Sequence, residues 1–183
     1  MQFPNSAYSG YSSLDAAAHE LLKLAEKCYG ECVKSIKISV KEWESDHPET
    51  FFNQSFTHAT IKIQKVDENE RRYQLAQEVV QCLSPVPPDQ LTFFEKGLGQ
   101  VFALSDRVGV KITPPEDNAI QKKYAEARRL CALLEKTCGE DIVHRLRKKR
   151  QQYISRITPD DISALCSKFP REDAELLCRP WNS

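Results

Sequence analysis

No apolar run in the sequence approaches the roughly 20 residues that a membrane-crossing helix requires, so no span is expected. A basic stretch followed by an apolar core, the mark of a signal peptide, is not seen either. Gln2 excludes N-myristoylation, and the Arg179-Pro180-Trp181-Asn182-Ser183 end has no prenylation box. Charge of one sign is also missing: 26 Lys/Arg balance 26 Asp/Glu, whereas nucleic-acid binders usually carry a marked basic excess. Gly97-Leu98-Gly99 lacks the third glycine and the preceding strand of a dinucleotide fingerprint, and no Lys-Ser or Lys-Thr pair follows to make a P-loop. Close helix packing or a kink explains that glycine pair better.

Forty per cent hydrophobic and 28% charged residues suit a folded chain with a real core. The length fits one domain, or two small helical subdomains sharing a core. Seven cysteines, an odd number, point to a reduced cytoplasmic or nuclear setting. Cys28 and Cys32 share a helix face, as do Cys131 and Cys138, so four thiolates could in principle hold zinc. Neither pair has knuckle spacing and all lie in apolar stripes, which favours core packing. Neither a metal nor a cofactor is therefore expected.

Residues 1–13, which contain Tyr, Ser, Gly, Asn and Pro without periodicity, read as a flexible lead-in; Tyr8-Ser9-Gly10-Tyr11 could serve there as a short linear or phosphorylation site. Residues 14–183 read as one helical domain. Leu14, Ala18, Leu21, Ala25, Cys28, Cys32, Ile36, Val40 and Trp43 recur every three or four residues, the period of one long helix. Five later segments pair proline with nearby acid in the manner of helix starts: at Pro48, Pro87-Pro88, Pro114-Pro115, Pro159 and Pro170. The pattern predicts an all-α antiparallel bundle of about six helices. A long N-terminal hairpin fills 14–84, and a second helical half fills 88–183, bent or broken at Gly139.

A rival reading makes 35–43 and 59–66 a β-hairpin. Ile36, Ile38 and Val40 alternate, as do Ile61 and Ile63, and Asp67 with Glu70 could cap a helix starting there. One helical period explains both sides of the intervening loop, so the helical reading is preferred.

No nucleophile signature surrounds the cysteines or His19, His47, His58 and His144, so no enzyme is predicted. The acid pairs Asp160-Asp161 and Glu172-Asp173 fall in first turns, where the helix dipole accounts for them. Residues 121–156 hold eleven Lys/Arg against four Asp/Glu, an excess of +7. Lys122, Lys123, Arg128, Arg129, Arg145, Arg147, Lys148, Lys149 and Arg150 form the candidate partner-binding surface. It would suit protein partners through acidic segments, or phosphoinositide, with nucleic acid less favoured for want of interleaved aromatics. A solvated helix face is the plain alternative. The expected function is a non-enzymatic helical interaction module, cytoplasmic, with nuclear entry possible through 145–150. The alternatives are a membrane-surface or nucleic-acid binder acting through 122–156, and a cysteine-dependent or zinc protein. Trp181, just beyond the last helix, is expected to anchor the chain end to the core.

Overall fold

The computed structural model describes residues 14–44 and 47–182, so the expected lead-in and its tyrosines fall outside the described residues. Helix α1 (Leu14–Tyr29) realises only the first part of the expected long stripe. It stops because Gly30 adopts φ +94°, and its N–H returns to the Glu26 carbonyl at 2.8 Å. Glycine reaches that left-handed conformation without steric cost, which makes it a common helix terminator.

Beyond this stop the chain forms a three-stranded sheet, which corrects the all-α expectation. Strands β1 (Lys37–Trp43), β2 (Glu49–Phe52) and β3 (His58–Gln64) stand in the order β1-β3-β2. Pro48 therefore precedes a strand, and the long helix expected from it does not exist. The reason lies in burial: Ala59, Ile61 and Ile63 are all fully buried. Alternate residues share one face of a strand, whereas in a helix they would point to nearly opposite sides. The hairpin alternative is corrected too. β1 runs parallel to β3, with Ile38 beside Ala59; only β2 is antiparallel to β3, with Thr50 beside Ile61.

Helix α2 (Glu68–Val79) starts where Asp67 accepts a hydrogen bond from the Glu70 N–H, as the capping pair in the sequence suggested, and tightens into a 3-10 turn over Val80–Leu83. A second 3-10 turn, Pro88–Gln90, leads to α3 (Phe93–Ala103), whose start is a reciprocal capping box between Thr92 and Glu95. Pro114-Pro115 starts no helix. Helix α4 (Ala119–Cys138) begins at a capping box between Asn118 and Gln121 and ends at Gly139, as expected of that glycine. Helices α5 (Ile142–Lys149), α6 (Pro159–Leu165) and α7 (Arg171–Leu177) follow. Only the last two start at a predicted proline position.

α1 and α2 cover the inner face of the sheet, joining Leu21, Ala25, Leu75, Ala76 and Val79 to Ile38, Ile61 and Ile63 in one core. α3 lies between α2 and α4 at backbone contact. A methyl group on Gly97 would stand 2.3 Å from the Ala127 carbonyl oxygen, and one on Gly99 2.7 Å from that of Gln77. The glycine pair is thus a packing device. Trp181 behaves as expected: it is buried, packs on Phe93 and Tyr124 with ring centroids 5.0 and 4.7 Å away, and bonds its N–H to the Leu91 carbonyl.

A disulfide joins Cys138, at the end of α4, to Cys166, just past α6, against the expectation of wholly reduced cysteines. It also removes Cys138 from the four thiolates considered for zinc. Cys131 is buried, with its thiol donating to the Phe94 carbonyl. No described helix is long and apolar enough to cross a membrane.

Candidate functional site

Most of the basic residues singled out from the sequence meet internal partners. Arg147 is fully buried. Its guanidinium donates to the carbonyls of Tyr29 at 2.7 Å, Gly30 at 2.6 Å, Glu31 at 2.9 Å, Leu83 at 3.1 Å and Gln152 at 3.0 Å. It thereby satisfies the exposed end of α1 and the end of the turn after α2. Burial lowers its pKa to about 10, so it stays charged at neutral pH.

Arg150 and Lys149 both pair with buried Asp161, at 2.5 and 3.1 Å. Desolvation would raise the Asp161 pKa, but hydrogen bonds from Arg150, Thr158 and Lys149 bring it well below the ordinary carboxylate range. Arg145 pairs with Asp141 and Arg128 with Glu116. Arg129 pairs with Glu126 and lies near Asp173. Lys123 donates to the Trp181 carbonyl. Lys122 and Lys148 are exposed. The nine residues thus divide among the exposed parts of α4 and α5, two internal clamps and the groove wall, rather than forming one surface.

A concavity borders only one of these nine residues, Arg128. A groove of about 1140 Å³ runs between β2 and α4, floored by α2 and α3. One side is the chain from His47 to Gln54, every residue of which borders it. Since side chains alternate across a strand, contact by consecutive residues means that the strand presents its edge to the groove. The far side carries Pro114, Pro115, Asn118, Ile120, Gln121 and Tyr124, and Val86, Leu91 and Trp181 close an apolar end. Ile120 and Phe51 are large apolar residues left exposed here.

The floor is polar. Glu78 and Lys96 face each other at 3.9 Å, their side chains only 2% and 12% exposed. Glu78 Oε2 accepts hydrogen bonds from the Thr50 hydroxyl at 2.7 Å and from Gln81 at 2.6 Å. Burial alone would lower the Lys96 pKa, but Glu78, Tyr124 and Glu95 carry it above its ordinary value. Beside this pair, the Tyr73 hydroxyl donates to Gln100 Oε1 at 2.6 Å, and Gln100 Nε2 donates to Gln77 Oε1 at 2.8 Å. Burial holds the Tyr73 phenol up at about 12. The floor therefore places a carboxylate and an ammonium side by side, flanked by a relay of phenol and amide groups.

The two sheet edges differ. On β1, the Val40 N–H is capped by the Asp15 carboxylate of α1 at 2.7 Å. On β2, the Asn53 N–H donates to the His58 carbonyl at 3.0 Å. Antiparallel pairing alternates inward and outward bonding, so Phe51 and Glu49 bond to β3. Thr50 and Phe52 turn their N–H and C=O groups toward the groove. Among the described residues no hydrogen bond meets these groups.

Little of this site was legible in advance. Its rim prolines also read as helix starts, and its glutamines follow no motif; the open edge exists only once the strand order is known. Compared with protein-family models, curated proteins and solved structures, the chain matches none of them.

Proposed function

We propose that the protein is a non-enzymatic interaction module that takes an extended segment of a partner polypeptide as a fourth strand on β2. The observation supporting this is the unpaired β2 edge opening onto a groove, while the central amide of the opposite edge, Val40 N–H, is capped by Asp15. A free edge is a template for strand addition. The far wall formed by the Pro114-Pro115 loop and α4 stands across from β2, which suits one added strand better than a second folded body. The basic residues of α4 and α5 support the reading less, because most are committed to internal carboxylates and carbonyls.

The test is selection of a displayed library of random nonapeptides on the folded protein. Enriched peptides are then resynthesised with a single backbone N-methyl group at each position in turn. Strand addition predicts a loss of affinity at alternate residues of the part that pairs with Glu49–Phe52, because only alternate amides of an added strand face β2. Failure to enrich any sequence, or affinity indifferent to N-methylation, contradicts the proposal.

A further inference from the structure

We infer that the added segment carries an aspartate or glutamate opposite Thr50, received by the Lys96 ammonium and the Gln77 amide nitrogen. This rests on the strand-addition reading and specifies its ligand chemistry. In an antiparallel pair, a residue directly opposite Thr50 projects its side chain to the same face of the sheet. Thr50 itself points at the floor, since its hydroxyl bonds to Glu78. The side chain opposite it therefore meets the floor as well.

The floor has a polarity set by its hydrogen bonds. Tyr73 donates to Gln100, and Gln100 donates to Gln77, so the relay ends with the Gln77 Nε2 hydrogens at the groove. The acceptors are turned inward: Glu78 is almost fully buried and its Oε2 already takes two hydrogen bonds. Lys96 lies 3.9 Å from Glu78, beyond hydrogen-bond length, and borders the groove. An ammonium has three donors, and Tyr124 engages this one, so capacity is left for a ligand. At the floor the groove therefore meets two donors, the Lys96 ammonium and the Gln77 amide, while the carboxylates of Glu49 and Glu70 and the Arg128 guanidinium lie elsewhere along its lining. A carboxylate can accept hydrogen bonds from both donors and share the ammonium with Glu78, whose Oε2 is already taken by Thr50 and Gln81. A ligand lysine would set a second cation beside Lys96.

The experiment uses three pools of N-acetylated, C-amidated nonapeptides, randomised except for a central Glu, Gln or Lys. Recovery of each pool on the folded protein is read by mass spectrometry. The expected result is recovery of the Glu pool over the Lys pool by roughly tenfold. In Lys96→Met the preference falls to near parity while the Gln pool is retained. If that variant does not fold, Gln77→Leu, at a partly exposed position, serves instead and reduces the preference for Glu. Equal recovery of all pools by the wild-type protein overturns this inference and leaves strand addition standing. Recovery of no pool overturns strand addition, and this inference with it.

Discussion

The Asp15 carboxylate, in the first turn of α1, accepts a hydrogen bond at 2.7 Å from the Val40 N–H on the outer edge of β1. This contact caps one outward-facing amide of β1, on the side of the sheet away from the groove, and ties α1 to the strand that follows it. Asp15→Ala is predicted to destabilise the fold by about 1–3 kcal/mol, because it strands a partly buried donor. It also frees a second edge for self-association. Urea unfolding measures the first effect and sedimentation velocity the second. An unchanged midpoint would mean that the Val40 amide finds water instead.

Arg147 gives a larger effect. Its guanidinium holds carbonyls from the ends of α1 and of the turn after α2, all from a position on α5. Arg147→Met leaves these carbonyls without their donor, and a loss of at least about 3 kcal/mol is expected by chemical denaturation. Arg147→Lys recovers little of it, since one ammonium cannot reproduce the planar fork. The loss of helical circular dichroism should come at lower urea concentration for both variants.

Glu95 makes stability depend on pH. Burial raises its pKa from 4.5 to about 7, against the lowering effect of hydrogen bonds from Thr92, and its Oε1 has no hydrogen-bond partner. A carboxyl raised in the folded state binds its proton more tightly there than in the unfolded chain. Its stabilising contribution is therefore complete below about pH 4.5 and lost as pH rises through about 7. Relative to Glu95→Gln, the wild-type protein is predicted to lose about 1–3 kcal/mol between pH 5 and pH 8. Parallel stability curves for the two proteins across that range would contradict this assignment.

Gly97 tests the close approach of α3 and α4. Alanine favours a helix over glycine by roughly 1 kcal/mol, so an open site would be stabilised by the change. Here the new methyl group would meet the Ala127 carbonyl oxygen at 2.3 Å and the Cys131 sulfur at 2.6 Å. Gly97→Ala should therefore destabilise by about 1–3 kcal/mol overall, as thermal unfolding would show. A rise in midpoint would mean that the helices part without cost.

These sites also show what could be read in advance. Gly97-Leu98-Gly99, Gly139 and Trp181 were legible because each acts through its immediate neighbours or a simple apolar contact, whereas the Asp67–Glu70 cap was visible only within the reading that was not preferred. The sheet was misread because Ile36 and Val40 sit four apart and fit a helical stripe, while Ile38 between them fits only a strand. Gly30, which ends α1, stood in plain view but carried no weight beside that stripe. The basic cluster looked like a surface because sequence shows charges and not their partners. Asp161 is eleven residues from Arg150, and the carbonyls that Arg147 holds come mostly from far along the chain. The groove depends on strand order, which no local pattern encodes.

The most direct test of the account is amide hydrogen exchange at Thr50 and Phe52, followed by NMR with and without a selected nonapeptide. Strand addition predicts that saturating peptide slows exchange at both amides by about tenfold or more. Glu49 and Phe51, already bonded to β3, should change much less. Unaltered exchange at Thr50 and Phe52 under saturating peptide would contradict the central claim that β2 is the binding edge.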